Sequence, residues 1–221
     1  GSKDPFALRR TSLAVLRIIV EKNLDLDLRE CLKLAASQYP ENIIRAGTPE
    51  KVLEYMIERF RAWYEEANIP AEIFKAVSAK ALSRPLDIHR RVQAVHAFSL
   101  LPQAQALATA NKRVSNILGK LDGAYSFGNV NANLLVEPQE KALGERLEVL
   151  ATSCRTHLAR DEYNEALTCL AGLREPVDAF FDNVMVNVEE SSLRDNRLNL
   201  LKRLRDLFME VADISLLVVG K

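Results

Sequence analysis

The sequence carries no net charge: 30 Lys and Arg balance 30 Asp and Glu over 221 residues. No general excess of positive charge draws the chain to nucleic acid or a membrane, so any polyanion site must be a local patch. Glycine and proline number only 8 each. They fall between periodic segments, and no run shows sustained strand alternation, which excludes a β-rich fold. The longest apolar run, Leu216 to Val219, is far shorter than the ~20 residues that cross a bilayer. The opening "GSKDPFALRR" lacks the apolar centre of a secretory signal. These absences predict a cytoplasmic chain with no membrane partner. Three cysteines, Cys31, Cys154 and Cys169, sit among apolar residues outside any CxxC pair, and read as reduced, buried, cytosolic thiols.

Catalytic signatures are equally scarce. The 3 histidines, His89, His96 and His157, have no i, i+4 partner or flanking carboxylate of the kind a metal pair on a helix needs. There is no GxGxxG, no GxxxxGK[ST] and no nucleophile elbow. The paired carboxylates of "DLDL", "YEE" and "VEESS" lie at loops or helix ends, where solvation is the default. The expectation is a non-catalytic chain with no catalytic residue, metal or cofactor of its own.

What is present is helix, with 48% hydrophobic residues available for cores. A first helix after Asp4-Pro5 buries Leu13, Leu16, Ile19 and Val20, and a second buries Leu28, Cys31, Leu32, Ala35, Ala36 and Tyr39. "GTPEKVLEYMIERFRAWYEE" places Thr48 as N-cap, Pro49 at the first helical position and Glu50 at the positive end of the dipole. Val52, Leu53, Met56, Ile57, Phe60, Trp63 and Tyr64 follow as one apolar stripe. A shorter helix after Pro70 and another after "SRPLD" complete residues 1–101, and the domain boundary is expected near Leu101-Pro102. In 102–221 the periodicity predicts helices over about 103–121, 138–159, 163–173, 176–188 and 192–213. Short connections between long helices favour an antiparallel bundle. Val177, Phe180, Phe181, Val184, Met185 and Val188 form its heaviest stripe, and Glu189 and Glu190 before Ser191 and Ser192 mark a helix start. The fold class is all-α.

One stretch raises a chemical question. In "ATANKRVSNILGK", Val114, Ile117, Leu118 and Leu121 demand burial, while Lys112, Asn116 and Lys120 recur at i, i+4, i+8 with Arg113 beside them. The loop that follows carries Tyr125 and Phe127 among several asparagines. Cations for phosphates, amides for base edges and rings for stacking suit single-stranded RNA rather than a DNA duplex. Arg84, Arg90 and Arg91 in "SRPLDIHRRVQAV" form a second basic cluster. The same residues also fit an ordinary solvated helix face, a loop whose rings tuck onto the core, and an Asn116 buried between helices.

In this order and spacing, "GSKDPFALRR", "RFRAWY", "ANKRVSNILGK", "LVEPQEKAL", "LREPVDAFFDNVMVNVEE" and "LRDNRLNLLKRLRDLFMEVADISLL" closely resemble the C-terminal part of the β subunit of bacterial glycyl-tRNA synthetases. The resemblance spans essentially the whole chain and favours a native Gly1-Ser2 over a cloning remnant. Residues 1–101 resemble the end of an HD-related helical region and its linker, without the His-Asp dyad and metal ligands of an active HD hydrolase. Residues 102–221 resemble the helical anticodon-binding domain, of the DALR type, that arginyl-tRNA synthetases also carry. The resemblance implies an α2β2 ligase whose α subunit activates glycine with ATP and Mg while the β subunit captures tRNA(Gly). The resemblance does not assign side chains to RNA; the residue chemistry suggests Lys112, Arg113 and Lys120 on phosphates, Asn116 orienting them or reading a base edge, and Tyr125 or Phe127 stacking, with Arg197 bracing the last helix. The alternative is a scaffold that docks the α subunit or braces the β body without touching the anticodon.

Overall fold

The computed structural model describes residues 4, 6–40, 42–121, 123 and 125–218; Gly1-Ser2 and Val219 lie outside them. Every regular element among the described residues is helical. The chain divides into two compact units, Gly1–Val92 and Gln93–Lys221.

The first unit is built on α1 (Leu8–Glu21), α2 (Leu28–Ala36), α3 (Thr48–Glu66), α4 (Ala71–Ser78) and the start of α5 (Pro85–Ser99). α3 is the centre, packing against α1, α2 and α4. Its stripe buries Leu53, Met56, Phe60 and Tyr64, as the 3.6-residue period demands. The N-cap differs from expectation. Gly47 takes that position with φ of 78°, and Thr48 is already helical; a left-handed turn into the helix favours the residue without a Cβ. α2 corrects a larger expectation. It ends at Ala36 and buries only Leu28, leaving Cys31 exposed and Tyr39 and Leu34 57% and 66% exposed. Its principal neighbour is α3, so a stripe wide enough for two neighbours is covered along one edge.

Trp63 and Tyr64 stack on His89 at 5.7 and 5.9 Å, and the Tyr64 hydroxyl shares a 3.1 Å hydrogen bond with His89 Nδ1. Burial holds His89 below its ordinary pKa and raises that of Tyr64, because desolvation disfavours the charged form of each.

The second unit comprises the end of α5, α6 (Ala104–Leu118), α7 (Pro138–Leu158), α8 (Tyr163–Leu170), α9 (Arg174–Asn183) and α10 (Ser191–Met209), with 3₁₀ turns at Ala132–Leu134, Ala171–Leu173 and Ile214–Leu217. α7 packs on α8 and α9, and α10 on α6 and α7. Leu143, Leu147, Phe180, Leu201 and Leu204 are among the side chains that fill the bundle. Cys154 is fully buried, so its thiol is pushed up to about 11, chiefly by desolvation. Cys169 is half-buried.

A buried ion pair locks α7 to α10. Glu140, the third residue of α7, is 0% exposed, and its Oε2 accepts from the amides of Val136 and Glu137, both at 2.8 Å. Its other oxygen accepts from Arg197 Nε on α10, and Arg197 is only 4% exposed. This is the bracing role expected of Arg197.

α9 stops at Asn183, five residues before the expected end. Val184 turns extended and buried while Met185 is 73% exposed, so the heavy stripe divides into a buried helical part and a non-helical part. The cause is visible in "VMVNV": β-branched residues at every second position lose side-chain freedom in a helix and alternate faces when extended.

Candidate nucleic-acid interface

The end of α6, the end of α9, the segment 184–188 and the start of α10 enclose an open cleft of 770 Å³. Arg113, Ile117 and Lys120 line it from or just beyond α6; Phe181, Asn183, Met185 and Asn187 from α9 and the segment after it; Arg194 and Leu198 from α10. Positions 113 and 117 are four apart on α6 and therefore share one helix face, and Lys120 follows in the turn just beyond the helix. Three cations stand against one carboxylate, Asp182, among the lining residues, which makes a local positive patch on a chain of zero net charge.

Arg113 is held against an aromatic ring. Its guanidinium carbon lies 4.3 Å from the centroid of the Phe181 ring, a geometry in which the ring face attracts the cation while the edge N–H groups remain directed outward. The exposed positions Lys112 and Asn116 flank this face and are not among the cleft-lining residues. Asn116 is therefore not the buried interhelical amide; the buried asparagine of α6 is Asn111, 2% exposed, whose side-chain NH₂ donates to the Leu107 carbonyl one turn back on the same helix at 3.0 Å.

Tyr125 and Phe127 pack edge to face at 4.9 Å against α10 rather than into the cleft. The Tyr125 hydroxyl donates to Asp195 at 3.1 Å; desolvation, then that bond and the charge of Asp195, raise its pKa. Lys202 Nζ sits 5.5 Å from the Phe127 ring centroid. The loop is pinned by asparagines: Asn196 accepts from the Asn131 amide at 2.7 Å and donates to its carbonyl at 3.0 Å, and Asn199 accepts from the Gly128 amide at 3.0 Å.

The second basic cluster divides. Arg84 is exposed and pairs with Asp25 at 2.6 Å, and Arg90 is exposed. Arg91 is 9% exposed and its Nε donates to both Asp87 oxygens at 3.1 and 3.0 Å, so it braces the start of α5 and offers little to an external anion. Phe181, Met185 and Arg194 are the residues that sequence reasoning did not assign to a site. The Val-x-Val-x-Val alternation at 184–188 was the signal that this stretch leaves the helix and can form a wall. Among the described residues, no cluster of His, Cys, Asp and Glu is suited to a metal ion, and no helix is long and apolar enough to cross a membrane.

Two family models match the chain. Residues 1–79 match the glycyl-tRNA synthetase beta subunit family, and residues 107–214 match the DALR anticodon binding domain. The second match contains α9, α10 and nearly all of α6, and thus every wall of the cleft. The glycine-tRNA ligase beta subunit of Actinobacillus pleuropneumoniae serotype 7 is 51% identical over 217 residues, covering 98% of this chain and 31% of the relative. Beta subunits named likewise from Haemophilus influenzae (strain PittEE) and Pasteurella multocida are each 50% identical over the same 98%. The chain spans 31% of the length of these relatives.

Proposed function

Because the chain belongs to the family of glycyl-tRNA synthetase beta subunits, we propose that its second unit binds the anticodon region of tRNA(Gly) at the cleft beside α6. The observation that carries the reading is the gathering of Arg113, Lys120 and Arg194 around one cleft with an aromatic ring and two asparagines. Guanidinium and ammonium groups engage phosphates, and the carboxamides of Asn183 and Asn187 supply the donor and acceptor pairs that unpaired base edges require. Lys112 and Asn116, on the adjoining exposed face of α6, extend the contact along the backbone of the stem. Tyr125 and Phe127 support this surface through α10. Arg84 and Arg90, exposed in the first unit, offer cations for phosphate contacts of that unit's own.

Within the complete enzyme this module supports aminoacylation by presenting tRNA to an α subunit that uses ATP and Mg. The assembly proposed is α2β2, located in the cytoplasm, and the chain itself supplies no catalytic group. The scaffold reading, in which the unit only docks the α subunit, leaves the positive cleft without a purpose.

The test is salt-dependent binding. Arg113→Ala and Lys112→Ala should each weaken binding of tRNA(Gly) to the chain and lower the slope of log K against log salt by roughly 0.7–0.9, the release of one counterion. Unchanged affinity and slope in both variants would place RNA elsewhere.

A further inference from the structure

Two arginines of α10 hold the non-helical segment 184–188 by its backbone. Arg197 Nη1 donates to the Met185 carbonyl at 2.8 Å, and Arg194 Nη1 donates to the Val188 carbonyl at 3.3 Å. Arg197 is itself anchored by buried Glu140, and Val184 pins the near end at 6% exposure. On this fixed backbone Met185 stands 73% exposed on the wall of the cleft that Arg113 and Lys120 also line.

A scattered surface Met needs no explanation. This one differs in that a buried ion pair fixes its main chain beside cations that attract phosphates. We infer that Met185 packs on the face of one unstacked RNA base drawn into the cleft, and that Arg197 is the positioning residue that presents it. This rests on the anticodon-binding reading above and names the contact within that site. A thioether is polarizable and lies well against aromatic faces whatever the base, while Arg113, Lys120 and Arg194 take the flanking phosphates. An apolar side chain of a protein partner would not make use of three cations, so RNA is the occupant these residues favour.

The experiment titrates the 221-residue chain with tRNA(Gly) carrying 2-aminopurine at each anticodon position in turn, since its emission reports stacking. Wild type should change the emission at one position. Met185→Ala should abolish that change and weaken binding roughly fivefold, at the low end for a lost base contact, and Met185→Leu should restore both. Arg197→Lys keeps a cation opposite Glu140 but lacks the planar fork needed to reach Met185 as well, and should lose the emission change while melting cooperatively. Met185→Ala is exposed and decides the question even if Arg197→Lys unfolds. Affinity within about twofold of wild type and an intact emission change in Met185→Ala would overturn the inference and leave the anticodon reading standing. Loss of α-subunit association with tRNA binding intact would make the cleft a protein dock and overturn it as well. A wild-type chain that binds no tRNA would remove both readings together.

Discussion

Replacing Arg197 by methionine keeps most of the side-chain volume and removes the guanidinium. Glu140, 0% exposed, is then left with the Val136 and Glu137 amides at 2.8 Å as its partners and no counter-charge, and the Met185 carbonyl loses its donor at 2.8 Å. Breaking a buried pair on one side costs about 3–5 kcal/mol, because the surviving charge remains desolvated. At roughly 4 °C per kcal/mol for a unit between the small and large domain classes, Tm should fall by about 12–20 °C. Glu140→Leu should cost a comparable amount, since it strands the guanidinium. Combining Glu140→Leu with Arg197→Met removes both charges and should cost markedly less than the sum of the singles. Chemical and thermal denaturation of the four proteins provides the assay. A single Arg197→Met cost below about 1 kcal/mol, or additive costs in the double variant, would refute the assignment of this pair as the lock between α7 and α10.

His89 carries a pH dependence in the first unit. Its folded pKa lies below the ordinary value of 6.5, so below that pH the unfolded chain binds more protons and stability falls with acidification, levelling off below the folded pKa. Melts between pH 7.5 and 5 should show this loss, and His89→Gln should flatten it. Cysteine alkylation should separate the thiols: exposed Cys31 reacts at pH 8 in the native chain, whereas Cys154, buried and pushed up to about 11, reacts only on unfolding. Mass mapping of the alkylated peptides reads this directly.

The fold was legible wherever an apolar stripe was covered by its neighbours along its whole width. α3, α6 and α7 follow from Leu53-Met56-Phe60, Leu107-Val114 and Leu143-Leu147-Leu150, because a 3.6-residue period leaves little choice of face. α2 was less legible, since a stripe shows that a helix can be covered but not how much of it is. The cysteines failed for the same reason: apolar neighbours in sequence place Cys154 in the core and equally well leave Cys31 outside. For the site, Arg113 and Lys120 were readable as a basic face, but the half of the cleft made by Phe181, Met185 and Arg194 was not. The alternation at 184–188 marks where α9 ends, but where that segment then lies depends on Arg197 and Arg194, which hold it from α10 through hydrogen bonds to the Met185 and Val188 carbonyls. Tyr125 and Phe127 showed the converse: their residue types suit stacking, yet Asp195 and Asn196, about 65–70 residues onward, draw their loop onto α10.

The most direct measurement is a titration of the chain with labelled tRNA(Gly) and with an anticodon-substituted version, each at two salt concentrations. The account predicts binding that weakens with salt and weakens further when the anticodon is changed. Binding indifferent to the anticodon, at either salt, would contradict it.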